Sequence, residues 1–426
     1  MTLTQNAVTG VVLSGGGAHG AYEAGVLKAL MTGAVWTTGG VPLAPDVITG
    51  TSIGAYNGAV LTARLEAEAA PAVARALEDV WLNVIPQDEG DPGHNHVFRF
   101  RGNPLDLLRP GTLARQPARL AGWFGNDALF FAQDWVQRGT RFLFSPNPSL
   151  AQRSLELVDL STLISREPTE RLLRRTIDLG LVRQSRRTLF LAVTNWGTGG
   201  LELFTNADVA EAASRSGFDV LRLFTGDGID TDGYLAVLAS SALPGVFPPV
   251  RLSSEVYVDG GLSLNTPLGP TFLVATPGPD TVHVIYLDPE MQNIPLGPLQ
   301  STLETMDRLT TIILSHSVDS DMRVAGRVNR GLDLVSRLSR GERLEPGELR
   351  TLVESASYLV DGIGGRIPES PKTIHRYRPS RYLGGTLSLL DFSRSSVQDL
   401  IALGFQDAVN HDCRVSHCVL PQQGLI

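Results

Sequence analysis

Three short stretches of this chain combine residue types that could do covalent chemistry. Gly50-Thr51-Ser52-Ile53-Gly54 is a G-x-S-x-G, in which a serine between side-chain-free positions can hold its hydroxyl exposed on a strained strand-to-helix turn. A serine at a helix N-terminus also sits where backbone N–H groups favour developing negative charge. The bland reading of the same residues is a glycine-bounded turn with an N-capping serine. Gly15-Gly16-Gly17-Ala18-His19-Gly20 admits two sharper readings. Gly15, Gly17 and Gly20 fit the dinucleotide fingerprint G-x-G-x-x-G. That reading asks for an acidic residue at the far end of the second strand, whereas Asp46 precedes Val47-Ile48. The other makes the amides of Gly15, Gly16 and Gly17 an oxyanion hole, with N–H groups converging about 3 Å from an acyl oxygen. It explains both glycine turns with one site and is the stronger of the two.

A serine nucleophile needs a base. None of the eight histidines sits in a glycine-flanked loop after a clear strand, where a Ser-His-Asp arrangement would want it. The fourteen residues before Gly15 leave no room for the early strands of an α/β-hydrolase. Asp259 is the better candidate, since it ends the apolar run Val256-Tyr257-Val258 and precedes Gly260 and Gly261, which leave its carboxylate open. On composition alone Asp-Gly-Gly is a turn; the need for a partner is what singles out Asp259.

The elements that must position these residues are legible around them. Gly10 to Ser14 reads as a strand leading through glycines into a helix from Ala21 to Met31. Asp46 to Gly50 reads as a second strand, followed by a helix from Ala55 to Ala67. Two consecutive β-turn-α units predict a parallel sheet with helices on its faces, both glycine turns emerging at one edge. Further strands are expected at Thr188 to Val193, Leu201 to Phe204, Val256 to Val258 and Val282 to Leu287. Beyond about Met291 the periodicity is helical, over Leu299 to Asn329, Glu345 to Val360 and Ser395 to Val409.

Roughly residues 90–150 read as an insertion rich in arginine and aromatics. From Val97 to Leu150 seven arginines face three aspartates. Such a stretch is either an interfacial face, with Trp123 and Trp135 entering a headgroup region and arginine meeting anionic lipid, or a cap whose aromatics are core. The whole chain has 426 residues, 42% hydrophobic and 19% charged, with a net charge of −8. It should therefore fold, should exceed one core, and should not capture nucleic acid by its overall charge. Cys413 and Cys418 make no disulfide framework. The N-terminus lacks a basic n-region, and the charge-free run Gly233 to Val250 is broken by Pro244, Pro248 and Pro249. The expected location is cytoplasmic, with membrane contact at most peripheral. His411, Cys413, His417 and Cys418 form a short His/Cys cluster whose spacing matches no common zinc finger. No metal and no other cofactor is expected.

The succession of the Gly15-Gly16-Gly17 turn, Gly50-Thr51-Ser52-Ile53-Gly54 and Asp259-Gly260-Gly261 resembles the patatin-like phospholipase family. Ala239 to Pro249, before the Asp-Gly-Gly, and Asn265-Thr266-Pro267, after it, resemble that family's flanking segments. Leu390-Asp391-Phe392-Ser393 is reminiscent of bacterial members. The resemblance covers about residues 8–290. It implies a three-layer αβα sandwich with a largely parallel central sheet and a Ser52–Asp259 dyad without histidine. The oxyanion hole would come from Gly15 to Gly17, and fatty acyl esters would be cleaved in the manner of a phospholipase A or lysophospholipase. Many members carry a basic residue where this chain has His19. The expected organisation is a catalytic domain over residues 1–290 and a helical region of regulatory or oligomerising role over 291–426, with phospholipid or another acyl lipid as substrate. The competing functions are a thioesterase or carboxylesterase of small soluble esters, a nucleotide-dependent oxidoreductase and a catalytically silent binding protein.

Overall fold

The computed structural model describes residues 7–86, 95–100, 164–165, 167–216, 218–222, 230–244, 246–275, 278–288, 329–360 and 372–421, with isolated positions between them. Most of the arginine- and aromatic-rich insertion, from residue 101 to 163, lies outside the described residues, as does most of the helix expected over Leu299 to Asn329.

The strands are β1 (Thr9–Leu13), β2 (Val47–Thr51), β3 (Arg99–Phe100), β4 (Ile164–Ser165), β5 (Thr188–Asn195), β6 (Leu201–Thr205), β7 (Asp219–Arg222), β8 (Val250–Leu252), β9 (Glu255–Asp259), β10 (Thr281–Ile285) and β11 (Thr373–Tyr377). The main sheet runs β11-β10-β1-β2-β5-β6-β7, with β9 added to β5 and β8 to β9, while β3 and β4 form a separate pair. From β11 to β5 every pairing is parallel. β5 pairs antiparallel with both β6 and β9. The result is a mixed, mostly parallel sheet with helices on its faces. Strands buried on both faces read as continuous apolar runs, as Val11-Val12-Leu13 and the wholly buried Val47–Thr51 do.

Helix α1 (Gly20–Met31) is buried along its whole length except for Lys28, the pattern of a core helix. Its outer side is covered by the terminal helix Arg394–Val409, whose first turn is capped by the Ser393 hydroxyl accepting from the Ser396 N–H. The two helices touch backbone to backbone. A Cβ on Gly25 would lie 2.1 Å from the Ile401 carbonyl oxygen, and one on Gly404 would lie 2.1 Å from that of Tyr22. Helix α2 (Ile53–Arg64) follows β2, and α3 (Ala70–Asp79) turns Val73, Ala74 and Leu77 into the core.

Part of the tail departs from the helical expectation. Thr373-Ile374-His375-Arg376-Tyr377 is the edge strand β11, in register with β10 from Thr281↔Thr373 to Ile285↔Tyr377. The polar His375 and Arg376 mask an otherwise β-favouring run, and both are buried.

Candidate active site

Both glycine turns sit at the C-terminal ends of neighbouring parallel strands. β1 and β2 pair from Gly10↔Val47 to Leu13↔Gly50, so the Gly15 to Gly17 turn and Ser52 emerge side by side. Ser52 has φ 55° and ψ −120°, a conformation costing a non-glycine residue on the order of 1–3 kcal/mol. The motif glycines permit so sharp a turn. A Cβ on Gly50 would lie 2.3 Å from the Gly54 carbonyl oxygen, and one on Gly54 would lie 2.5 Å from that of Leu13.

Asp259 arrives from the opposite direction. β2 occupies β5 from Thr188 to Ala192, and β9 runs antiparallel along the next residues, Val193↔Asp259 to Asn195↔Tyr257. β6 takes β5's other edge over residues 190–194, so β2 and β9 share one edge and meet end to end. Thr51 is level with Ala192 and Asp259 with Val193. The Gly261 N–H donates to Asp259 Oδ1 at 2.7 Å, and the Ser52 hydroxyl favours the carboxylate's ionised form. Gly260 lies against β5, where a Cβ would come within 2.2 Å of the Ala192 carbonyl oxygen. Asp259 is 4% exposed, and burial pushes its carboxyl up to about 6 against the Gly261 N–H and the Ser52 hydroxyl, which pull it down.

The glycine turn is less uniform than expected. Gly15 is fixed by Asn265, its N–H donating to the Asn265 carbonyl oxygen at 3.2 Å and to Oδ1 at 3.1 Å. The Asn265 Nδ2 donates back to the Gly15 carbonyl at 3.3 Å. Gly15 is buried, whereas Gly16 and Gly17 are half-buried, and among the described residues their N–H groups have no partner. The donor set available to a bound oxygen therefore narrows to Gly16 and Gly17. His19 is 2% exposed, with its Nε2 2.9 Å from the Ser388 hydroxyl. Burial lowers its pKa to about 4 despite the nearby Asp391, so it is a neutral ring at pH 7 and brings no charge to the turn.

Ser52, Asp259, Gly15, Gly16 and Gly17 line one cleft. Its other walls are overwhelmingly apolar, among them Leu172, Leu238, Val246 and Phe247, with Leu389, Leu390 and Phe392 from the tail. Phe392 stacks on Trp81 at 6.3 Å and meets Phe98 edge-on at 6.1 Å.

Sequence reasoning missed two further contributors. Ser240 accepts from the Ser52 N–H at 2.9 Å and donates to the Ala192 carbonyl at 2.7 Å, fixing the turn to β5. Asn265 holds Gly15. Both fall in segments noted as resembling the family, but nothing local marks a serine or an asparagine as a backbone clamp. Asp46, the acid considered for a dinucleotide ribose, accepts from the Thr9 N–H at 2.9 Å, at the opposite end of β1 from the glycine turn. His417, expected with the His/Cys cluster, is exposed with φ 51°; His375 stands in its place beside His411, Cys413 and Cys418.

A family model described as Patatin-like phospholipase matches residues 11–272. The chain belongs to the patatin-like phospholipase family. The match takes in both glycine turns, Ser52, Asp259 and Asn265 and ends before the tail. As a patatin-like phospholipase, the protein is a lipid hydrolase in the general sense. Among solved structures, the crystal structure of VipD from Legionella pneumophila aligns with a TM-score of 0.29 at 14% identity, over 95% of this patatin-like chain and 67% of that one. No curated protein matches the chain. Among the described residues, no helix is long and apolar enough to cross a membrane.

Proposed function

We propose that this patatin-like phospholipase cleaves fatty acyl esters of phospholipids or lysophospholipids through a Ser52–Asp259 dyad. The observation that carries the reading is the convergence of Ser52 and Asp259, at the meeting ends of β2 and β9, in one apolar cleft. Asp259, ionised, takes the proton as the Ser52 Oγ attacks the acyl carbon. The Gly16 and Gly17 N–H groups stabilise the tetrahedral oxyanion. The alcohol leaves with that proton, and a water activated by Asp259 releases the fatty acid from the acyl-enzyme. A carboxylate is a weak base in water, and the upward push on Asp259 to about 6 brings it closer to the pH at which it must work. Leu172, Leu238 and Phe247 offer an acyl chain the surface it prefers.

The test is incubation of the purified chain with phosphatidylcholine, lysophosphatidylcholine and a short-chain ester, products read by mass spectrometry, beside labelling by a fluorophosphonate probe. Free fatty acid from the lipids together with Ser52 labelling is expected. Release confined to the short ester would reassign the substrate to small soluble esters, and an unlabelled Ser52 with undiminished lipid turnover would remove the dyad.

A further inference from the structure

Away from the cleft, four potential metal ligands converge at the outer edge of the sheet. His375 comes from β11, while His411, Cys413 and Cys418 come from the turns after the terminal helix, and all four are buried. His375 Nδ1 lies 3.3 Å from Cys413 Sγ, and His411 Nε2 lies 3.5 Å from Cys413 Sγ and 3.3 Å from Cys418 Sγ. The four ligand atoms all fall within 4.8 Å of one another. Zinc bonds of about 2.3 Å to sulfur and about 2.0–2.1 Å to nitrogen, placed at tetrahedral angles, give ligand-to-ligand edges of roughly 3.3–3.8 Å. We propose that His375, His411, Cys413 and Cys418 bind a structural zinc ion.

The surroundings have the form of an outer shell. The Arg376 N–H donates to Cys418 Sγ at 3.3 Å, as backbone amides do to a metal-bound thiolate. The Ser416 hydroxyl lies 3.4 Å from His411 Nδ1; a proton on that nitrogen leaves the Nε2 lone pair facing the two sulfurs. The Trp36 ring packs on both imidazoles, stacked on His411 and edge-on to His375, and its Nε1–H donates to the His411 carbonyl at 2.8 Å. The donor set of two thiols and two imidazoles suits zinc, and with four protein ligands no position is left open for substrate, as in a structural rather than a catalytic centre.

The spacing of His411, Cys413 and Cys418 hides this arrangement because the fourth ligand lies 36 residues upstream in β11. That separation gives the ion its role. The chain from His375 to His411 carries Ser388 against His19 and Leu389, Leu390 and Phe392 in the cleft wall. Closing that segment at both ends holds it on the catalytic domain. The Ile374–Val419 backbone pair, at 2.8 and 3.0 Å, secures the same junction.

The test is elemental analysis of the tag-free full chain, followed by removal of the metal with a mercurial and chelator and titration with zinc chloride or cobalt chloride. One zinc per chain is expected, lost in Cys413→Ser and in His375→Ala and kept in His417→Ala. Cobalt should give the visible and thiolate charge-transfer bands of a tetrahedral site in the wild-type chain, a reading that needs no variant to fold. A wild-type chain without metal, iron in place of zinc, a Cys413–Cys418 disulfide in freshly isolated protein, or zinc retained in Cys413→Ser or lost in His417→Ala would each overturn the proposal.

Discussion

Where β2 meets β9, polar groups face a cleft; at the outer edge of the sheet, His375, His411, Cys413 and Cys418 face one another. Ser52 is half-buried, and the neighbouring Gly16 and Gly17 amides have no partner among the described residues. Around the His/Cys cluster, each ring nitrogen or sulfur turned inward lies within 3.5 Å of another member. Unpartnered donors beside an apolar hollow are expensive in a folded protein, and they make sense where a substrate's oxygen will complete them. A closed shell offers nothing to a substrate and everything to local rigidity. The two clusters should therefore fail differently when altered, the first losing rate and the second losing order.

The largest effect is expected from Ser52→Ala, which should lower lipid hydrolysis by at least about 1,000-fold while leaving the thermal midpoint unchanged or higher, since alanine removes little packing. Equal turnover by this variant and the wild type in a fatty-acid release assay would erase the distinction. Cys413→Ser should do the reverse, lowering the midpoint in a calorimetric scan by an amount equivalent to a few kcal/mol. Loss of chemistry with unchanged stability would make the edge cluster part of the active site.

Asp259→Asn joins the two measures. Turnover should collapse, yet stability should rise, because the wild-type carboxylate is buried at a cost. Its pKa is about 6 folded against an ordinary 3.8, a gap corresponding to roughly 3 kcal/mol. Below pH 3.8 both states are protonated and the penalty is absent. It grows as the unfolded chain ionises first, and is complete above about pH 6. The variant's advantage in urea melts should thus be full at pH 8 and vanish by about pH 3. In the wild type, kcat/KM should fall as pH drops through about 6, as the base takes up its proton.

Ser240→Ala should be gentler, about 10-fold in kcat, since it frees the Ser52 backbone without touching the reacting atoms; the Ser240→Thr variant should recover part of the loss. Smallest of all in its effect on turnover is Glu23→Gln. Glu23 is fully buried, burial holds its pKa well above the ordinary value, and its Oε2 accepts from Asn57 Nδ2 at 2.9 Å. By the same linkage as at Asp259, a neutral isostere should raise stability in urea melts at pH 7 and lose that advantage as pH falls below the unfolded carboxyl's 4.5, while lipid turnover stays at the wild-type level, which would show that a buried carboxyl alone does not make a reactive one.

How far the sequence foretold this arrangement differs between the two clusters. Gly50, Ser52 and Gly54 are contiguous, and their local strain is written in their own residue types. Asp259 is legible only through the base that Ser52 lacks nearby. By contrast, Ser240 and Asn265 act through long-range contacts to Ser52 and Gly15, and a serine clamp looks like any other serine. His375 joins Cys413 only because a buried strand carries a histidine amid β-branched residues, a pattern that local periodicity reads weakly. The role of Leu389 and Phe392 as cleft walls depends on the tail folding back over the glycine turn, which no local signal encodes.

The end-to-end meeting of β2 and β9 has a further consequence for how this enzyme can vary. Thr51, which leads directly into Ser52, and Asp259 are gauged against consecutive residues of β5, Ala192 and Val193. One residue inserted between those two would move Asp259 along by a strand rise of about 3.3 Å, past hydrogen-bond reach, and would turn the side chains beyond it to the other face. Surface loops tolerate added length at little cost, but the middle of β5 has a fixed length.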